Sequence, residues 1–231
     1  LIECDTLPTT SQATPIVFQE IFEDVVNSGD TAVVIPLSSK LSGTYQSAMV
    51  AAADFEDSIY VVDSGFVSVG TGILAEYAVR LRKEGMDAKS IAKELEEKKK
   101  NIRLLALLDT LEYLAKGGRI SAAVAFAGGL LAIKPVVCVE EGAVQLLGKA
   151  RGSKQGNNFL VQEVKKAGGV DFDMPVLLGY TGLSDHLLKK YMEDSKNLWE
   201  ESSEELNTTS IGSVVGTHVG PGAVAVAFFT K

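Results

Sequence analysis

The chain has 231 residues, of which 46% are hydrophobic and 23% charged, and its net charge is −8. This length suffices for one large α/β domain or for two smaller ones. A net acidic surface repels nucleic acid and anionic membranes, because both are bound through a clustered basic face. We therefore expect no nucleic acid partner.

Cysteine content and the apolar runs both bear on where the protein resides. Cys4 and Cys138 are the only cysteines and lie far apart, which suits a reducing cytoplasm. The chain opens on Leu1-Ile2-Glu3-Cys4, without the basic start of a signal peptide. The apolar stretch Ala122–Val139 contains glycines and Lys134-Pro135, and it is short for a spanning helix. We expect a cytoplasmic protein without stable membrane insertion.

Strand-like and helical periods alternate along the first half of the chain. Thr14-Pro15 is a typical helix start, since proline suits the first helical turn. Short β-branched runs separated by helices favour a parallel sheet with helices on both faces. The predicted elements are a helix from Pro15 to Val26, strand Thr31–Leu37, helix Tyr45–Ala53, strand Ser58–Val62, helices Val69–Lys83 and Asp87–Lys100, and strand Arg103–Leu108.

The second half predicts a smaller domain with a mixed sheet, in which Glu141-Gly142 turns between two strands. We therefore expect an α/β fold of two domains, 1–115 and 116–231. Only Leu1–Cys4 offers a strand ahead of the first helix, so the first strand of the N-terminal domain is expected to be absent. The predicted elements are strands Lys134–Glu140 and Ala143–Lys149, helix Ser153–Ala167, strand Val176–Tyr180, a helix around Asp185–Trp199, and strands Ile211–Val215 and Ala223–Phe229.

Three polar loops, Pro8–Gln12, Ser38–Thr44 and Gly216–Gly222, are the candidates for chemistry. Hydroxyls and free backbone N–H groups at a helix N-terminus form an anion site that suits a carboxylate or a phosphate. Each loop also has a purely structural interpretation. Ser and Thr ahead of a helix cap it, and glycine-rich turns serve positive φ angles. His218, in the third loop, can likewise be structural.

Other motifs point to enzymes only weakly. Gly70–Ala75 matches a dinucleotide fingerprint, but no strand directly precedes it. Lys40–Thr44 resembles part of a phosphate loop without the G-x-x-x-x-G-K-[ST] pattern. The alternative function is a serine hydrolase acting on an acyl substrate, with Ser42 as nucleophile and His218 as base. The G-x-S-x-G elbow of such enzymes is missing from the sequence.

Several segments, in their order along the whole chain, resemble the DegV family. The most specific are Leu41–Ser47 (Leu-Ser-Gly-Thr-Tyr-Gln-Ser) and Gly216–Gly222 (Gly-Thr-His-Val-Gly-Pro-Gly). Family members usually begin with a further strand and an Asp-Ser loop upstream, which this sequence lacks. The other matching segments are Thr9–Gln12, Val62–Gly65, Leu108–Leu114, Lys116–Ser121, Ile133–Pro135 and Lys149–Gly152.

The resemblance implies two α/β domains that hold a long-chain fatty acid between them, without catalysis and without any other cofactor. It implies that the acid's carboxylate is presented to a separate, ATP-using fatty acid kinase subunit, which forms the acyl-phosphate. Arg119 and Arg151 match basic residues near the pocket mouth, where partner docking or the acyl-phosphate needs positive charge. The positions that match the carboxylate site are Thr10, Ser42, Gly43, Thr44 and His218.

Elementary energetics also suit a fatty acid. Burial of a methylene contributes about 0.8 kcal/mol, so a sixteen-carbon tail supplies on the order of 10 kcal/mol before the costs of association. A buried carboxylate must still be hydrogen-bonded. Val124–Ile133 and Val67–Leu74 are the candidate tail-lining segments, and ordinary core packing explains either one equally well.

Overall fold

The computed structural model describes residues 6–121, 132–200, 202 and 205–231. The chain divides into two compact units. The first unit contains Ser11–Ile102 and Glu141–Ala143, and the second contains Leu1–Thr10, Arg103–Glu140 and Val144–Lys231. The expected domain limits, 1–115 and 116–231, stay a prediction, because a compact unit need not be a domain that folds by itself.

The first unit is built around a short parallel pair of strands, in which Ala32 lies opposite Ile59 and Val34 opposite Val61. Helices dominate the remainder of this unit. Its elements are α1 (Pro15–Asn27), β1 (Ala32–Val34), α2 (Thr44–Ala52), β2 (Ile59–Val61), α3 (Val69–Lys83), α4 (Ala88–Lys98) and a 3-10 turn (Lys99–Asn101).

Local sequence explains the helix limits of the first unit. Pro15 begins α1 because its fixed φ suits the first turn, and Thr14 before it is extended. The Asp87 carboxylate caps α4 by accepting a hydrogen bond from the Ser90 N–H (2.9 Å). The apolar stripe of α1 buries Phe22 against Ala51 of α2 and Ile59 of β2, and this cluster joins the helices to the strands.

The second unit is built on a six-stranded mixed sheet with the order β5-β4-β3-β8-β6-β7. Strand β3 pairs antiparallel with β4, β6 pairs antiparallel with β8, and β6 runs parallel to β7. Its elements are β3 (Ile102–Leu107), α5 (Glu112–Lys116), β4 (Ile133–Glu140), β5 (Ala143–Arg151), α6 (Gly152–Lys166), β6 (Leu177–Tyr180), α7 (His186–Asp194), α8 (Lys196–Trp199), β7 (Asn207–Ser210), α9 (Ser213–Val219) and β8 (Val224–Phe229).

A core of apolar side chains joins this sheet to α6, α7 and α8. Tyr191 and Trp199 pack edge to face at 6.3 Å between ring centroids, and Leu160 and Phe228 are fully buried in the same cluster. Cys138 packs against this core, and burial raises its thiol pKa to about 11. It therefore acts as a small apolar side chain.

The predicted α/β class, with a parallel sheet and a mixed sheet, is confirmed. The mixed sheet, expected in the smaller domain, has six strands, whereas the parallel sheet has two. One predicted strand is wrong: Ile211–Val215 is not a strand, because the backbone turns at Gly212 into helix α9. The strand lies just upstream, at the fully exposed β7, where the polar sequence Asn207–Ser210 carries no apolar alternation.

Candidate functional site

Thr10 and His218 form a hydrogen-bonded pair, although 208 positions separate them along the chain. The Thr10 Oγ1 lies 2.7 Å from the His218 Nε2, and both side chains are half-buried. Helix α9 carries His218 in its last turn and packs against α5. A hydroxyl and an imidazole at this separation can share a proton and bind an acidic ligand.

Gly117, the residue that follows α5, fixes the position of the imidazole ring. A Cβ added at Gly117 would lie 2.2 Å from the His218 Nδ1 and 2.9 Å from its Cε1, so the ring rests against the glycine backbone. The Nδ1 atom is buried and has no hydrogen-bond partner in the described part of the chain. Only a residue without a side chain allows this approach.

Burial also sets the charge of the histidine. Desolvation lowers the pKa of His218 below its ordinary value, and the positive charge of Arg119 lowers it further. The imidazole is therefore neutral at pH 7. A buried N–H group without an acceptor is rarer than a buried nitrogen lone pair without a donor. Because Nδ1 is the buried nitrogen without a partner, we assign the imidazole proton to Nε2. His218 then donates to Thr10, and the Thr10 hydroxyl hydrogen is available for a ligand.

A glycine turn holds the end of α9. Gly220 has φ +73°, and a Cβ there would lie 2.4 Å from the Tyr113 ring, so the turn passes directly over α5. The buried Thr181 Oγ1 donates to the Gly220 carbonyl (2.6 Å) and accepts from the Ala223 N–H (2.9 Å). These contacts connect the turn to β8 and thereby position His218 two residues upstream.

In the first unit, the predicted ligands Ser42, Gly43 and Thr44 form a compact turn at the start of α2. The Ser42 Oγ lies 2.9 Å from the Thr44 Oγ1 and accepts a hydrogen bond from the Thr44 N–H (3.2 Å). The Ser38 Oγ donates to the Gly142 carbonyl (2.6 Å), which secures the beginning of the loop. The turn thus presents two hydroxyls beside a helix N-terminus.

This turn lies at the carboxyl edge of the parallel pair. The loops after β1 and β2 meet there, since the Asp63 carboxylate accepts from the N–H groups of Ser39 (3.2 Å) and Gly65 (2.9 Å). The Lys99 Nζ donates to the Asp63 carbonyl (2.7 Å). Ligands of open α/β sheets bind outside the carboxyl ends of the strands, which is where the Ser42–Thr44 turn lies.

Gln12 and Gly43 meet closely in the first unit. The Gln12 Nε2 donates to the Ser47 Oγ of α2 (3.1 Å), and a Cβ at Gly43 would lie 1.8 Å from the Gln12 Oε1. The amide of Gln12 therefore requires a glycine at position 43. This contact connects the segment before α1 to the beginning of α2.

The two predicted arginines differ in their surroundings. Arg119 is half-buried, donates to the Gly117 carbonyl (2.6 Å) and lies close enough to His218 to lower its pKa. Arg151 is exposed at the end of β5, and its guanidinium makes no hydrogen bond or ion pair within the described ranges. Arg119 therefore belongs to the Thr10–His218 cluster, and the role of Arg151 at a pocket mouth stays a prediction.

An open groove of about 680 Å³ borders this cluster in the second unit. The side chains of Ile120, Val144 and Leu146 line it together with Arg119, and the three apolar residues also pack against a buried cluster around Leu114. Its volume falls within the range of small-molecule sites, about 300 to 1,000 Å³.

The structure describes only one of the two candidate tail-lining segments in full. Residues 124–131 of the segment Val124–Ile133 lie outside the described residues. In Val67–Leu74, the side chains of Ile73 and Leu74 are fully buried in α3, as core packing requires. A contact between this segment and an acyl tail stays a prediction.

Several structural contributors were not singled out from the sequence, namely Gly117, Tyr113, Gln12 and Asp63. The Gly117-Gly118 pair directly after a helix is a sequence signal for a close contact at this place. One glycine suffices to end a helix, so the second glycine needs a different structural reason. No observation favours the hydrolase: the described hydrogen bond of His218 goes to Thr10, and that of the Ser42 hydroxyl goes to Thr44.

The described residues contain neither a metal-binding cluster nor a helix that could span a membrane. Across residues 6–121, 132–200, 202 and 205–231, no group of three His, Cys, Asp or Glu side chains is arranged to hold a metal ion. Among the helices in these same ranges, none combines the length and the apolar character that crossing a membrane requires.

The mixed sheet, the parallel pair and the two hydroxyl-rich clusters define an α/β protein with candidate anion-binding loops. The family model described as "Uncharacterised protein, DegV family" matches residues 1–231. The chain belongs to the DegV family, and the resemblance seen in the sequence is confirmed.

Individual relatives agree with this assignment. A DegV domain-containing protein of Caldanaerobacter subterraneus subsp. tengcongensis is 35% identical over 234 residues, covering 97% of this chain and 80% of the relative. A DegV family protein of Thermus thermophilus, solved in a study of its fatty acid binding, matches with TM-score 0.86 and 29% identity, covering 98% of this chain and 80% of its own.

The Streptococcus pneumoniae Fatty Acid Kinase (Fak) B3 protein, whose structure is loaded with linoleic acid, matches with TM-score 0.85. The match covers 98% of this chain and 80% of that protein. At 21% identity, this likeness shows the fold alone.

Proposed function

We propose that this protein binds a long-chain fatty acid and presents its carboxylate to an ATP-using kinase subunit, without catalysing a reaction itself. The observation that carries the proposal is the hydrogen bond between the Thr10 hydroxyl and the His218 Nε2 (2.7 Å), which leaves the Thr10 hydroxyl hydrogen for a ligand when Nε2 carries the imidazole proton. The fatty acid binding of the Thermus thermophilus relative supports the choice of ligand.

The charges around the pair suit a carboxylate. The Thr10 hydroxyl supplies a donor, and Arg119 supplies a positive charge close to His218. A hydrogen bond to a charged group contributes about 1.5 to 3 kcal/mol, so these donors fix the head group while tail burial supplies most of the affinity. Ser42, Gly43 and Thr44 are proposed as further carboxylate ligands, since their turn offers two hydroxyls and a helix N-terminus.

The groove beside Arg119 is the proposed beginning of the tail site. Its side chains Ile120, Val144 and Leu146 are apolar, and its volume of about 680 Å³ accommodates a long acyl chain. Arg119 would then lie where the head group meets the apolar groove. This arrangement also suits an acyl-phosphate, whose additional negative charge needs a cation nearby.

Comparison of a fatty acid with the fatty alcohol of equal length tests the head-group assignment. Thr10→Val removes the hydroxyl at nearly constant volume, and Thr9→Val, one position upstream and exposed, is the matched control. We expect Thr10→Val to weaken palmitate binding about tenfold or more, with a much smaller effect on hexadecanol. Isothermal titration measures both, and equal losses for acid and alcohol would exclude Thr10 as a carboxylate donor.

A further inference from the structure

The loop between β3 and α5 contains an ion pair of which one side chain is largely buried. The Nζ of Lys134, in β4, lies 2.5 Å from the Asp109 Oδ1, and the side chains of Lys134 and Asp109 are 16% and 63% exposed. Asp109 is the only hydrogen-bond partner of this ammonium group among the described residues. An ammonium group removed from water needs such a counter-charge, so Lys134 holds the loop beside β4. Asp109 also borders the glycine turn after α9, since a Cβ at Gly222 would lie 3.9 Å from the Asp109 Cβ.

The same loop determines where the short helix α5 begins. Beside the ion pair, the Leu108 N–H donates to the Pro135 carbonyl (2.9 Å) and joins the loop to β4 a second time. The Thr110 Oγ1 accepts a hydrogen bond from the N–H of Glu112 (3.1 Å), the first residue of α5. A helix of five residues is not stable by itself, so the position of α5 depends on contacts of this kind.

Helix α5 in turn supports the imidazole of the candidate site. The ring of Tyr113 lies against Gly220 of the glycine turn, and Gly117, directly after α5, lies against the His218 ring. A displacement of α5 therefore moves the surface on which the imidazole rests. The ion pair at the start of α5 and the imidazole at its end are thus connected through one short helix.

We propose that Lys134 and Asp109 form a positioning pair for the proposed carboxylate site. By anchoring α5, the pair keeps the backbone of Gly117 against the His218 ring and the imidazole at hydrogen-bond distance from Thr10. This inference rests on the proposed function and adds two residues that act through His218 and not by contact with the fatty acid.

Lys134→Met tests this role, because it removes the largely buried charge and retains a long, flexible side chain. In isothermal titration, we expect the variant to bind palmitate about five- to tenfold more weakly and hexadecanol nearly as tightly as the wild type. The His218 Cε1–H resonance of the ligand-free variant should shift, since the ring loses its fixed support. Asp109→Asn should act in the same direction, and the double variant should lose no more affinity than Lys134→Met alone, because both changes break one pair.

Lys116→Met is the matched control, because Lys116 forms the other ion pair of this region, with Glu112 on the same helix. The Lys116 Nζ lies 2.6 Å from the Glu112 Oε1, but the side chains are 59% and 61% exposed, so this pair contributes little. The control should retain the palmitate affinity and the His218 resonance of the wild type.

Other results for Lys134→Met would overturn the positioning role. A selective loss of palmitate affinity with an unmoved His218 resonance would place the Lys134 ammonium at the head group itself. Equal losses for palmitate and hexadecanol would leave the pair a role in stability alone, and a shifted resonance with unchanged palmitate affinity would separate the ring position from ligand binding. A wild-type protein that binds no palmitate would overturn the proposed function instead, while the His218 resonance would still decide whether the pair positions the ring.

Discussion

Gly117→Ala probes the geometry of the candidate site with a single methyl group. The added Cβ would lie 2.2 Å from the His218 Nδ1, far inside van der Waals contact, and the ring has to move away. Because Nε2 lies only 2.7 Å from the Thr10 Oγ1, this movement breaks the hydrogen bond between them. The backbone itself tolerates alanine, since φ at Gly117 is −75°.

Three contributions set the expected changes in the free energy of unfolding and in the affinity for palmitate. Overpacking costs about 1 to 3 kcal/mol, and the stiffer unfolded chain returns about 0.4 to 1 kcal/mol, so the free energy of unfolding should fall by about 1 to 2 kcal/mol. Loss of the oriented Thr10 donor removes a hydrogen bond to a charged group, which corresponds to about ten- to hundredfold weaker palmitate binding.

Urea denaturation and isothermal titration measure the two effects, and the His218 Cε1–H resonance reports the ring position directly. Gly216→Ala, in the same helix as His218, is the matched control, because its Cβ would meet nothing within 4 Å. That variant should gain about 0.5 to 1 kcal/mol of stability and retain its affinity. A Gly117→Ala protein with wild-type affinity, stability and resonance would refute the dependence of His218 on Gly117.

Two further predictions concern charge. Burial lowers the pKa of His218 in the folded protein, so the unfolded chain takes up a proton at a higher pH, about 6.5, than the folded protein does. The free energy of unfolding should therefore decrease as the pH falls from 7 to 5. His218→Gln should reduce this slope in urea titrations at each pH, and a slope equal to that of the wild type would contradict the buried neutral imidazole. Arg151→Glu should slow acyl-phosphate formation while palmitate binding persists, whereas the exposed control Lys154→Glu should leave the rate unchanged. A loss of palmitate binding would instead place Arg151 beside the head group.

Local sequence patterns predict much of the fold. Helix α3 has the limits predicted from the sequence, Val69–Lys83, because an apolar helical repeat ends at Glu84 and Gly85, and Gly85 adopts φ +91°. The sequence also predicts both strands of the parallel pair, although each strand is shorter in the structure than its apolar run in the sequence. A buried run of β-branched residues flanked by turn residues favours a strand over a helix.

The error at Ile211–Val215 shows where patterning fails. Branched apolar residues favour a strand locally, but packing against α5 and the hydrogen bond from the Thr217 hydroxyl to the Ser213 carbonyl (2.9 Å) stabilise a helix. The true edge strand, Asn207–Ser210, is polar and fully exposed, so its pairing with β6 leaves no hydrophobic trace. Tertiary contacts override propensity at both places.

The candidate site depends even more on long-range contacts. No local period relates Thr10 to His218: the sequence places them in two of its three candidate polar loops, and the structure shows that their side chains form a hydrogen bond. The Gly117-Gly118 pair is visible in the sequence, but the role of Gly117 is not, because it depends on a ring that approaches from another helix.

The order of the mixed sheet has a consequence for biosynthesis. Strand β8 is the last strand along the chain, yet it lies between β3 and β6 with every residue buried. A ribosome adds about 5 to 20 residues per second, so β3, β4 and β5 wait for several seconds beside an open edge that only β8 fills. Helix α9 directly precedes β8, and the partner of Thr10 therefore arrives with the same late segment. During that interval β3 presents unpaired backbone groups along this edge, the kind of surface at which strands of other chains can pair.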